Sequence, residues 1–150
     1  MQTFIEDLLQ GGGDWGIAQW NREKVTDGCI ARMKEAADDG LDPYGGAALF
    51  WYMRNRTFFD QELKHCPSTT LLRYEHAVTE SAREFERLCR FLNIRFEPAM
   101  VDKVFPTSLG KHSHPPISRR VERLCDEMME QLDAAHASMA KSLAVAPKKG

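Results

Sequence analysis

Residues 69–94 read Thr-Thr-Leu-Leu-Arg-Tyr-Glu-His-Ala-Val-Thr-Glu-Ser-Ala-Arg-Glu-Phe-Glu-Arg-Leu-Cys-Arg-Phe-Leu-Asn-Ile, and their period changes part-way. Thr69 to Tyr74 is a short β-prone run that follows the punctuation Pro67-Ser68, too short for a helix and rich in residues that suit a pleated surface. It is predicted to be a buried strand over about 69–74. From Ser81 onward the apolar residues Phe85, Leu88, Cys89 and Leu92 fall on one helical face, and Ser81 with Glu84 three places on has the form of a capping box. The expected unit is therefore a strand feeding a helix.

Working outward, the flanks are helical. Val25, Cys29, Met33 and Ala37 recur every four residues, and Asp38-Asp39-Gly40 closes that segment, which predicts an amphipathic helix over about 21–37. Leu41 to Gly46 reads as a turn-rich linker, and about 47–64 as a helix whose apolar set (Leu49, Phe50, Trp51, Met53, Phe58, Phe59 and Leu63) is broad enough to need cover from more than one side. A short helix is expected over 99–104. Ser118 can cap a last long helix in which Val121, Leu124, Cys125, Met128, Leu132, Ala135 and Met139 follow the helical period. At the other end, Phe4, Ile5, Leu8 and Leu9 form a short amphipathic stretch that stops at Gly11-Gly12-Gly13, a run without the Lys-Ser/Thr of a phosphate loop.

The order of these motifs resembles the sulfotransferase family. There, a strand ending in a Tyr-Glu-Asp-Leu type sequence precedes a helix closed by Phe-Leu-Gly, which Leu72-Arg73-Tyr74-Glu75 and Phe91-Leu92-Asn93-Ile94 match with His76 in place of Asp and Asn93 in place of Gly. Trp51 and Asn55 upstream and Thr107-Ser108-Leu109-Gly110-Lys111 downstream extend the likeness over about residues 45 to 135. The resemblance implies an α/β fold, the mostly helical C-terminal part of a P-loop-like three-layer parallel sheet with one strand in this chain. It implies a sulfuryl transfer from phosphoadenosine phosphosulfate (PAPS) to a hydroxyl or amine, with the phosphate-binding loop and the catalytic base outside this sequence, so that the chain alone is expected to be inactive. It assigns the adenine side of the nucleotide to Tyr74 and to Thr107, Ser108 and Leu109, and suggests Trp15 and Trp20 as lining for the acceptor pocket. Glu75 and His76 would orient the loop. A non-catalytic helical interaction or nucleotide-binding module derived from that fold is the other reading.

Residue chemistry in the loop after 106 admits two readings, a solvated turn with no ligand and an anion site. Backbone amides freed by Gly110, the hydroxyls of Thr107 and Ser108, and the ammonium of Lys111 can together hold a phosphate. A metal reading of His112 and His114 needs a third ligand, and none stands at ligand spacing; no metal is expected.

Composition sets the outer bounds. The chain has 150 residues, 43% hydrophobic and 28% charged, which suits one globular domain, expected over 1–143 with a flexible tail at 144–150. A net charge of -2 and a basic tail of only Lys148-Lys149 carry no nucleic-acid signature. No apolar run approaches the roughly 18 residues that cross a bilayer, and Glu6 and Asp7 stand where a signal peptide would be basic and apolar. Cys29, Cys66, Cys89 and Cys125 are scattered, with no Cys-x-x-Cys pair, which suits reduced thiols and a cytoplasmic setting. A lone strand leaves its amides and carbonyls without partners. Either sequence outside this chain supplies them, or a second chain does, or the segment is not a strand; the resemblance favours the first, and the exposed apolar surface that follows is expected to drive self-association.

Overall fold

The computed structural model describes residues 5–6, 9, 25–38, 40–110 and 115–145. The α-helices that lie wholly within the described residues are α1 (Asp27–Ala36), α2 (Pro43–Asp60), α3 (Tyr74–Thr79), α4 (Ser81–Leu92) and α5 (Arg119–Val145), with single 3-10 turns at Leu63–His65, Pro98–Met100 and Pro106–Ser108. They divide between two units, one holding the chain up to Cys66 together with His114–Gln131, the other holding Pro67–Ser113 and the chain from Leu132 onward. The long helix α5 contributes its first half to one unit and its second half to the other.

The first unit starts at two capped helix ends. Thr26 accepts the Cys29 amide on its side chain at 3.1 Å and donates its hydroxyl to Asp60 at 2.6 Å, which ties the start of α1 to the end of α2. Asp42 accepts the amides of Tyr44 and Gly45 at 2.7 and 2.9 Å, and Pro43 takes the first helical position, where a missing N–H costs nothing. This is why α2 begins four residues earlier than the expected start at 47. The Asp-Pro pair that reads as linker is a helix start. Gly45 lets the chain pack closely there: a Cβ would sit 3.2 Å from the Leu41 side chain, which would have to give by a few tenths of an ångström.

Its interior is apolar. Cys29, Ile30, Met33 and Ala36 of α1 are buried at helical spacing, with Leu49, Tyr52, Met53 and Phe58 of α2 and Val121, Leu124 and Met128 of α5. Cys125 donates its thiol to the Ala48 carbonyl at 3.7 Å, and Arg120 bridges to Asp38 at 3.1 Å, so the first half of α5 lies against both α1 and α2. Ser118 caps α5 as expected, accepting the Val121 amide at 3.3 Å. One polar atom breaks the pattern: Tyr52 is buried, and its hydroxyl has no hydrogen-bond partner among the described residues. A buried donor without a partner is a cost that phenylalanine would not carry. Tyr52→Phe is accordingly expected to leave stability unchanged or raise it by about 1 kcal/mol, as read from the midpoint of urea unfolding; a loss above that size would place a partner on the hydroxyl.

The second unit corrects the expected strand. Residues 69–73 form neither helix nor strand, and Tyr74 opens α3. Arg87, reaching from α4, donates to the Thr70 hydroxyl at 3.0 Å and to the Leu71 carbonyl at 2.5 Å. A guanidinium thus takes one backbone carbonyl of the segment that a neighbouring strand was expected to pair. Of the described residues, 71% are helical and none lies in a strand, so the fold is all-α and the α/β assignment with a P-loop-like parallel sheet does not hold. The capping box is also absent: Glu80 takes the N-cap position of α4 without a side-chain capping bond, its carboxylate pairing with Arg83, and Glu84 turns inward instead. The helix expected over 99–104 is reduced to the turn Pro98–Met100. The expected tail at 144–150 is partly helical, since α5 runs to Val145, and the rest of it lies outside the described residues.

Candidate functional site

What the second unit buries is charge. Glu84 is 3% exposed, Arg87 7% and His136 7%, beside the apolar Ala77, Cys89 and Leu132. Ionic groups are almost never this buried unless paired. Arg87 donates to one carboxylate oxygen of Glu84 through Nε at 3.1 Å and Nη2 at 3.0 Å. The Nε2 of His136, on α5, meets the same oxygen at 3.1 Å. Burial pushes the Glu84 carboxyl up, but hydrogen bonds from His136 and Arg87 outweigh it, and the group is held below the usual carboxylate range. His76 of α3 completes the cluster, its ring 5.2 Å from that of His136 between centroids.

Three helices therefore converge. α3 and α4 are joined through Glu80 alone, which brings His76 and Glu84 together although eight positions separate them; α5 adds His136 from 52 positions beyond Glu84. Among the described residues, His76, Glu84 and His136 are the one group of three metal-type ligands, with a ligand atom from each within 4.8 Å of the others. The sequence carried a faint signal of this site. His136 stands four places after Leu132, on the apolar face of α5, and Glu84 and Arg87 share an i, i+3 spacing that an exposed helix also uses.

The residues assigned by resemblance are placed separately. Tyr74 opens α3 and is 56% exposed. Thr107 and Ser108 close the Pro106–Ser108 turn, which packs beside α3. Leu109 follows, half-buried, and Gly110 adopts a left-handed φ of 68°. Lys111, His112 and His114 lie outside the described residues, as do Trp15 and Trp20. Asn55 donates to the Trp51 carbonyl at 2.8 Å, one turn back on α2. Asn93 takes the left-handed conformation, φ 55°, that ends α4, with the Ile94 amide donating to the Cys89 carbonyl at 2.9 Å.

The first unit has a cleft of about 400 Å³ lined by Arg32, Arg120, Arg123, Glu35 and Glu127. Its cations are compensated: Arg32 pairs with Glu127, Arg120 with Asp38, and Arg123 approaches Glu127 at 4.0 Å. Such a balanced rim offers an anion little net attraction. Two thiols of this unit, Cys29 and Cys125, are held in the neutral form by their environment. Burial, with Asp60 adding to it, pushes Cys29 up to about 12, and burial pushes Cys125 up to about 11.

No helix of the described residues is long and apolar enough to cross a membrane. Set against protein-family models, curated proteins and solved structures, the chain matches none of them.

Proposed function

We propose that this chain is the C-terminal, nucleotide-side part of a sulfotransferase, holding the adenine end of PAPS while a sulfuryl group passes to a hydroxyl or amine acceptor. The observation that supports the reading is the packing of α3, which the exposed Tyr74 opens, beside the Pro106–Ser108 turn, which carries the exposed Thr107. An exposed ring and an exposed hydroxyl on adjoining elements suit a nucleobase, which would stack on one and hydrogen-bond to the other. Asn93 adds support: the family usually has glycine there, and the backbone at 93 takes the left-handed conformation that glycine and asparagine adopt most readily. The proposal does not require a sheet within this chain.

Phosphoadenosine phosphate titrated into the protein in a calorimeter tests it. Loss of one hydrogen bond or stacking contact of about 0.5–1.5 kcal/mol corresponds to a loss of about two- to tenfold in affinity, which is the effect expected of Tyr74→Ala and of Thr107→Val. Binding that is equally tight in both variants removes the reading.

A second reading, an interaction module without catalysis, is favoured by a different observation. Leu72, Leu92, Ile94, Met100 and Phe105 are large, apolar and 43–59% exposed, and all belong to the second unit. Apolar surface gathered in one unit suits a protein partner or self-association. Sedimentation at increasing concentration separates the two readings, because nucleotide binding predicts no change in mass and a contact surface does.

A further inference from the structure

We infer that His76, Glu84 and His136 form a binding site for a zinc-type transition-metal ion, one per chain, in the interior of the second unit. Two imidazoles and a carboxylate are a zinc ligand set, and in such sites three protein ligands leave the fourth position open to water or substrate. The spacing is already close. Nε2 of His136 and the Glu84 oxygen are 3.1 Å apart, against about 3.3 Å for two ligands held at about 2.0–2.1 Å in a tetrahedron. His76 is the half-buried member, and its ring lies within 4.8 Å of both partners by a ligand atom, within reach of a side-chain rotation.

The surroundings supply what a metal ligand set needs beyond itself. Arg87 grips the Glu84 carboxylate through two N–H groups and is itself anchored on Thr70 and Leu71, so the carboxylate is oriented before any ion arrives. Coordination through Nε2 places the His136 ring proton on Nδ1 and replaces the hydrogen bond to Glu84 by two bonds to one cation. The charge count selects the ion. Arg87 and Glu84 offset one another, so the site offers no net negative charge to a hard cation, and the attraction must come from imidazole nitrogen. That favours zinc and its neighbours over magnesium and calcium, which prefer an all-oxygen shell.

The test is zinc titration of the chelator-treated full chain, read by competition with a chromophoric chelator. One zinc per chain is expected, with no comparable binding of magnesium or calcium. Removing an outer partner of a metal ligand commonly costs about 10–100-fold in affinity, so His76→Ala, which removes a ligand, should lose more than about 100-fold while keeping the helical circular dichroism. The double variant His112→Ala/His114→Ala controls for the remaining loop histidines and should bind as the parent does. Absence of zinc binding, binding unmoved by His76→Ala, or binding lost in the double variant each overturns the site. Should His76→Ala unfold, the parent protein still decides, because the ring proton resonances of His76 and His136 must both move as one equivalent of zinc is added; resonances that stay in place overturn it.

Discussion

Replacing Glu84 with alanine is expected to destabilise the protein by about 3–5 kcal/mol, the cost of leaving a buried charge without its partner. The charge left behind is Arg87, whose side chain is 8% exposed and whose ion pair with Glu84 spans 3.0 Å. Its remaining bonds to Thr70 and Leu71 are to neutral oxygens and do not balance a cation. His136 loses its partner in the same step. The expected loss shrinks when the charges go together: Glu84→Met combined with Arg87→Met should be less destabilising than either single change, since a buried ion pair is offset by the desolvation of both of its members. Urea unfolding of the two singles and the double provides the measurement. A double variant that loses as much as the sum of the singles would mean that the pair is not buried as described.

Leu49→Ala should cost about 2–5 kcal/mol, through lost transfer energy and the cavity left in a packed interior. Leu49 is 0% exposed in α2, in the same unit as the fully buried Met33 and Met128. Leu92, which helical spacing places on the same face as Phe85, Leu88 and Cys89, is the natural comparison: it is 53% exposed, and Leu92→Ala should stay within about 0.5 kcal/mol. Thermal or urea midpoints of the two variants side by side check both. Equal losses would show that something covers Leu92 in solution.

The contrast between these leucines shows how far the sequence could be read. Long helices with an apolar face were legible, because burial along α1, α2 and α5 repeats at the helical period whatever the neighbours are: Cys29 and Met33, Leu49 and Met53, Val121, Leu124 and Met128 are all buried as their spacing requires. Ser118 as the cap of α5 was legible for the same local reason. That the helix opened by Tyr74 packs beside the Pro106–Ser108 turn was not legible, since it depends on contacts between segments far apart in sequence.

What only the tertiary structure decided lies between Pro67 and Asn93. Thr69 to Tyr74 has the composition of a strand, yet a strand needs a neighbour to pair with, and in this chain a single arginine from α4 takes the Leu71 carbonyl. Ser81 and Glu84 have the spacing of a capping box, yet Glu84 has a stronger use for its charge between Arg87 and His136. Local sequence determines which residues can be helical and which face of a long helix is apolar, because both depend on near neighbours. It does not determine whether a charged residue points inward, because that depends on a partner 52 positions away arriving at 3.1 Å.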